Sequence, residues 1–397
     1  MKSSSNLSST IITKLRENTT GNEGTHYFDL SNCYIGPAEI ADIGTCIKYN
    51  GINAEGFAPL ISLDLTSNLI CGVDQLLRGS VNTEGFSDFC NCLIALNKNS
   101  RLRKITFARN YLGASGCSIL SNFLINGPSS IIEISCKGCG IDQEGMEKLA
   151  EGVKNSKALH ILDLRDNELG PESGKYIADM LTNNIKIKQL YLSNCLLGPD
   201  GCAAVFHSLG NTSLEVLAIN ANGCGNSAMD VLASALRVNQ RLKTLHIEEN
   251  GIGMEGIGSL CKGLLKNKVL MHLGLQWNDL DNDCAAKLNE VLVQNNSLKE
   301  IHVLGNYIDE QGVKKLVEGS AGIDVDMTFH VRPASRTKKK SLPLEGVAAE
   351  GDDVSLRLSA GSHQDDETAR EDQMVGGLQQ EFSAITNDSF PDVAEES

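Results

Sequence analysis

The residues through which this chain could do chemistry are thirteen cysteines, eight histidines and a single tryptophan, Trp277. Cys136 and Cys139 form a Cys-x-x-Cys pair, the spacing of a redox dithiol or of half a zinc site. No second such pair and no histidine pair accompanies it. His246, His272 and His302 could offer imidazole nitrogens to a metal, yet they occupy different slots of their segments, and no carboxylate spacing completes a set of ligands. GxxxxGK[ST], GxSxG and HExxH are all absent, so phosphate cradling, serine hydrolysis and zincin chemistry lack their signatures. The expectation is no catalytic residue, no cofactor and no metal. A binding chemistry remains. Trp277 with Tyr191, His246, Glu248, Glu249, His272, Gln276 and His302 is the mixture of aromatic and polar groups that anchors protein interfaces.

Those residues are carried by a periodic frame. Asn110, Cys139, Asn167, Cys195, Asn222, Asn250, Asn278 and Asn306 follow one another at steps of 29, 28, 28, 27, 28, 28 and 28 residues. Each sits in a frame of aliphatic residues, as in Leu159, Leu162, Leu164, Asn167, Leu169 and again in Leu242, Leu245, Ile247, Asn250, Ile252. The alternation around Asp163 predicts a short strand with Leu162 and Leu164 turned inward and Asp163 outward. The asparagine amide is then placed to satisfy backbone groups where the chain turns away from the sheet, and a small thiol fits the same slot. A glycine and an amphipathic stretch such as 256–267 follow, long enough for a helix of about three turns. Because a repeat of this size cannot bury its own apolar face, the copies must stack.

The alternation of Asn and Cys in one slot, as in "LDLRDNELGPESG" (162–174) followed by "LYLSNCLLGPDG" (190–201), resembles the ribonuclease-inhibitor type of leucine-rich repeat over about residues 102–312. Looser copies precede it at Phe28, Leu30, Cys33, Ile35 and at Leu60, Leu63, Leu65, Asn68, Ile70. The resemblance implies an α/β solenoid, a horseshoe with parallel strands on the concave face and helices on the convex face. It also implies binding and no particular partner, since such proteins include cytosolic inhibitors, sensor arms of immune receptors and ciliary scaffolds. Repeat type, overall length and an acidic tail also resemble the Ran-activating GTPase-activating proteins. There an arginine in an irregular loop of an enlarged early repeat stabilises charge in phosphoryl transfer. The step from Asn68 to Asn110 is 42 residues, so that resemblance points to Arg78; its surroundings, "LLRGSVNTEG", depart from the family's loop motif, and the tail lacks long acidic blocks.

Composition sets the remaining expectations. Periodic cysteines read as buried free thiols of a reducing compartment, so the chain is expected in the cytoplasm, including its cytoskeletal or ciliary structures. A formal net charge of −15 argues against nucleic-acid binding, and no apolar run is long enough to span a membrane. The predicted organisation is a flexible segment over 1–24, the repeat domain over 25–330 and a disordered acidic tail over 331–397. Residues 342–397 hold 14 Asp and Glu against 2 Arg and no Lys. The outward strand positions of the repeats are expected to line the concave face, leaving the cluster around Trp277 exposed to a protein partner.

Overall fold

The computed structural model describes residues 27–50, 60–74, 76–96, 101–319 and 324–326. The expected flexible segment (1–24) and acidic tail (331–397) lie outside the described residues.

Eleven three-residue strands make one sheet, hydrogen-bonded in sequence order and parallel throughout. They are β1 (Tyr27–Asp29), β2 (Ser62–Asp64), β3 (Lys104–Thr106), β4 (Glu133–Ser135), β5 (Ile161–Asp163) and β6 (Gln189–Tyr191). β7 (Val216–Ala218), β8 (Thr244–His246), β9 (His272–Gly274), β10 (Glu300–His302) and β11 (Asp324–Asp326) complete it. Between them run α1 (Pro37–Asn50), α2 (Glu84–Leu96), α3 (Gly113–Asn126), α4 (Gln143–Asn155) and α5 (Ser173–Asn183). The later helices are α6 (Gly198–Ser208), α7 (Ser227–Leu236), α8 (Met254–Leu264), α9 (Asn282–Leu292) and α10 (Glu310–Gly319). This is the expected leucine-rich repeat solenoid, strands on its concave face and helices on its convex face. The strand register lies one residue earlier than the alternation suggests, at 161–163 instead of 162–164. Leu164 still joins the ladder, donating its N–H to Tyr191 O of the next repeat at 2.9 Å.

Strands stay short because the residue before each ladder position turns left-handed. Ser67, Arg109, Asp166, Asn194, Ala221, Glu249 and Trp277 all have φ between 52° and 58°, and glycine takes the slot at Gly138 and Gly305. Such a conformation costs an L-residue about 1–2 kcal/mol. The ladder amides offset it. Asn167 Oδ1 accepts from the N–H groups of Cys139 and Ile141 in the preceding repeat, while its Nδ2 donates to Cys136 O and Leu164 O. Asn68, Asn222 and Asn250 do the same, so the turns of neighbouring repeats are stitched through side chains. Cysteine fulfils only half of that role. The thiols of Cys139 and Cys195 approach Phe107 O and Leu164 O, and where Cys139 sits its backbone carbonyl takes the N–H of Leu112 instead. Cys136 and Cys139 are both fully buried, which is where the repeat frame puts them.

A second ladder runs along the far side, where the chain returns from helix to sheet. Asn184, Asn239, Asn267 and Asn295 are buried, and their carboxamides bridge repeats. Asn267 Nδ2 donates to Leu236 O, and its Oδ1 accepts from Val269 N and Leu270 N; Asn295 repeats the pattern one turn on with Leu264 O, Ser297 N and Leu298 N. Ser156 and Thr212 occupy this slot in the repeats that lack the amide.

Between the two ladders lies one continuous core of leucine, isoleucine, cysteine and a few phenylalanines. Helix starts approach closely enough to demand glycine, as at Gly174, where a Cβ would lie 2.5 Å from Gly201 O.

Candidate functional site on the concave sheet

The concave surface is lined by three slots per repeat: the first and third strand residues and the residue two after the third. At β5 the last two are Asp163 and Arg165. Arg165 Nε donates to Asp163 Oδ1 and its second terminal nitrogen to Oδ2, each at 3.0 Å, and Ser135 Oγ on β4 also donates to Oδ2 at 3.0 Å. Tyr191 on β6 faces this pair. Its ring lies 5.7 Å from the Arg165 guanidinium, and its hydroxyl donates to Gln189 Oε1 at 2.8 Å. Between β6 and β8, Glu215 just before β7 bridges Lys188 at 3.2 Å and Lys243 at 2.7 Å. Partial burial pushes the Glu215 carboxyl up, but the hydrogen bonds and charges of Lys243 and Lys188 outweigh it and hold it below the usual carboxylate value.

The same two slots on β8 hold His246 and Glu248. His246 Nδ1 and Glu248 Oε1 are 2.8 Å apart. Both side chains lean over Gly274 of β9, where a Cβ would lie 1.9 Å from Glu248 Oε1 and 2.8 Å from His246 Nδ1. Glycine is the residue that leaves room for them. Next in the row stands Gln276, buried like Glu248. Beyond Gly274, Glu300 of β10 joins two imidazoles: His272 Nδ1 at 2.8 Å and His302 Nε2 at 3.0 Å.

Trp277 and Glu249 lie at the turn edge, in the left-handed slot before Asn278 and Asn250. The indole rests on the backbone of Gly305, whose added Cβ would lie 2.5 Å from Trp277 Cδ2, and the side chain is 39% exposed. Exposed Tyr307 lies in the same turn as Gly305.

The eight candidate residues, six of them expected as one exposed patch at Trp277, therefore divide. His246, Glu248 and Gln276 gather around Gly274, His272 and His302 around Glu300, and Trp277 and Glu249 on the rim. Tyr191 belongs to the Asp163–Arg165 cluster instead. The expected exposure is corrected as well: Tyr191, His246, Glu248 and Gln276 are buried. On a concave sheet the outward side chains of neighbouring strands, about 4.8 Å apart, crowd one another, so an outward slot need not be a wet one. Gly274 and Glu300, which organise the cluster, carry no sequence signal beyond their slots.

Arg78 sits in the enlarged repeat, on a loop closed by an antiparallel bridge between Val73 and Gly79. Its guanidinium is engaged in cis. Asp74 receives Nε and a terminal nitrogen at 2.7 Å and the backbone N–H groups of Leu76 and Arg78 at 2.9 Å. Those bonds, the backbone N–H of Arg78 foremost, hold the Asp74 carboxyl below its ordinary value. Leu76 and Leu77 at the tip are exposed. Among the described residues, no helix is long and apolar enough to cross a membrane.

The repeat geometry has counterparts. A family model described as Leucine Rich repeat matches residues 155–178 and 238–261. The ribonuclease inhibitor of Sus scrofa is 29% identical over 216 residues, covering 54% of this chain and 43% of the relative. A NACHT, LRR and PYD domains-containing protein 12 of Mus musculus is 26% identical over 225 residues, covering 52% of this chain and 21% of that protein. The matches thus span less than half of either relative's own length. A crystal structure of a Bacteroides fragilis protein superposes with a TM-score of 0.38 at 17% identity, covering 60% of this chain and 69% of that one. With Asn and Cys sharing the inner ladder and a helix on each convex return, the described repeats have the architecture of leucine-rich repeats and resemble those of the ribonuclease-inhibitor type.

Proposed function

We propose that the chain is a non-enzymatic interaction scaffold that docks a partner protein on its concave sheet, with the segment from β8 to β10 as the anchoring region. The observation that carries this reading is Trp277. A large aromatic is held half out of the surface by a left-handed backbone and by the Gly305 backbone beneath it, beside a strip of carboxylates and imidazoles. Rigid aromatic anchors lose little entropy on binding and dominate interface energies. The matched relatives support a binding role: a ribonuclease inhibitor is, by its name, a protein that acts on another protein.

The test is to identify proteins retained by the full chain and to measure their affinity for wild type and Trp277→Ala. Loss of such an anchor is worth about 2 kcal/mol or more, roughly thirtyfold in Kd. Folding should be unchanged, since Trp277 makes no part of the core. Unchanged affinity in Trp277→Ala, with binding lost on deleting 341–397, would move the docking site to the acidic tail.

A further inference from the structure

The concave cluster at β8 and β9 holds two acceptors that the protein itself does not satisfy. Glu248 and Gln276 are only 6% and 5% exposed, yet Glu248 Oε2 and Gln276 Oε1 have no hydrogen-bond partner. Glu248 Oε1 is occupied by His246, and Lys243 just before β8 is committed to Glu215. Ala218 and Gly274, which flank His246 on the neighbouring strands, have no side-chain donor to offer, and Asn220, which flanks Glu248 itself, meets it through Oδ1, which accepts the Glu248 backbone N–H at 3.2 Å. Left as it stands, a buried acceptor without a donor is a standing cost, and a carboxylate oxygen more so than an amide.

The sheet shows elsewhere how such a carboxylate is satisfied. At β5 both oxygens of Asp163 receive the forked donors of Arg165, and Arg165 occupies the slot that Glu248 occupies at β8. On adding a donor, Glu248 and Gln276 would present one acceptor from each of two adjacent repeats, about one strand spacing (~4.8 Å) apart at the backbone. A planar guanidinium with several donors in a fixed fork suits that arrangement, while an ammonium is a point charge. Glu248, Glu249 and Glu300 make the neighbourhood acidic, so an incoming cation is favoured on charge as well.

From this we infer that the polar cluster over Gly274 receives an arginine side chain of the docked partner, its guanidinium donating to Glu248 and Gln276. The partner supplies at β8 what Arg165 supplies at β5. This inference rests on the concave docking reading and names the chemistry of the partner. Binding requires only that the Glu248 side chain rotate off Gly274 toward the incoming donor.

The experiment uses the full chain and three small probes: acetyl-arginine amide, its neutral isostere acetyl-citrulline amide, and acetyl-lysine amide. Each is titrated while the backbone amide of Gly274 and the side-chain amide of Gln276 are followed by NMR. The arginine probe should shift both resonances saturably, with the citrulline probe at least tenfold weaker and the lysine probe intermediate. Glu248→Gln, which keeps shape and removes charge, should abolish that tenfold preference. Equal responses to arginine and citrulline, or an arginine response undiminished in folded Glu248→Gln, would overturn the inference. A lysine probe that matches arginine would overturn the guanidinium assignment. A partner weakened by Trp277→Ala but indifferent to Glu248→Gln sinks the arginine site and spares the docking face; a responsive cluster with a partner indifferent to Trp277→Ala supports the arginine site and sinks the docking face.

Discussion

β5 and β8 carry pairs of polar residues in the same two slots of the concave sheet, two repeats of intervening strand apart, and the pairs have opposite fates. Asp163 and Arg165 form a closed unit in which each carboxylate oxygen has a donor and the guanidinium is faced by the Tyr191 ring. His246 and Glu248 form an open one, joined through Oε1 while Oε2 of the carboxylate is left over. The difference lies in the neighbours. β4 supplies Ser135 and β6 supplies Tyr191 to the first pair, while β7 and β9 supply Ala218 and Gly274 to the second. The repeat fixes where a polar pair stands; the adjacent strands decide whether it closes into a structural rivet or keeps a carboxylate oxygen without a donor.

The comparison is broken most strongly at its closed end. Asp163→Ala takes from the buried Arg165 the carboxylate that its fork grips, and removing one member of a buried ion pair costs on the order of 3–5 kcal/mol. Denaturant unfolding should show a drop of that size. A loss under about 1 kcal/mol would mean that the β5 pair is no more of a rivet than the β8 pair.

Beneath both clusters runs the inner amide ladder, and there the second effect is expected. Asn250 Oδ1 accepts from Asn222 N and Cys224 N, and its Nδ2 donates to Ile219 O and to Glu248 O itself. Asn250→Leu strands those groups without water, at a cost of about 1–3 kcal/mol. Cys195→Ser should be milder, because the thiol it replaces makes only donor contacts from its side chain. Equal melting temperatures for wild type and Asn250→Leu would remove the ladder from the account.

How much of this could be read from the chain follows from which slots impose a residue type. The ladder slot needs a side chain that both donates and accepts in a dry turn, so it repeats as Asn with Cys substitutes and is visible at once. The left-handed slot imposes only a backbone conformation; Ser67, Arg109, Asp166, Ala221, Glu249 and Trp277 share nothing chemically, so it is silent in the sequence. The outer ladder had a signal, the 28-residue steps from Asn239 to Asn267 to Asn295, masked by Thr212 and Ser156 in the same slot. For the site, the pattern located Glu248, Gln276 and Trp277 but could not give their exposure, which depends on how large the residues on the next strands are. Gly274, whose lack of a side chain leaves room for Glu248 and His246, is the extreme case.

Between the closed and the open pair stands the bridge Lys188–Glu215–Lys243, which allows a test by pH. The folded state holds the Glu215 carboxyl below its ordinary value, so the unfolded chain takes up its proton first as pH falls. The stabilisation is therefore fully present above the ordinary carboxylate range, near pH 4–5, and is lost as pH falls through the lowered folded value. The side chains are about a third exposed, which keeps the contribution to about 1 kcal/mol or less. Glu215→Gln should flatten that part of the acid limb of the stability curve; an unchanged limb would show that the bridge contributes nothing to folding.

The smallest expected effect sharpens the comparison most. Glu248→Gln keeps the volume over Gly274 and preserves an acceptor for His246, while replacing an unsatisfied carboxylate oxygen by an amide that can donate. The lost charge was costly to bury and half-compensated, so folding stability should change by no more than about 0.5 kcal/mol, or rise. Asp163→Asn, the same isosteric change in the closed pair, removes a charge matched by Arg165 and should destabilise clearly. Parallel denaturant curves of the two variants make the measurement. If Glu248→Gln loses as much stability as Asp163→Asn, then the β8 carboxylate is already satisfied within the fold, and the distinction between a closed and an open pair on this sheet disappears.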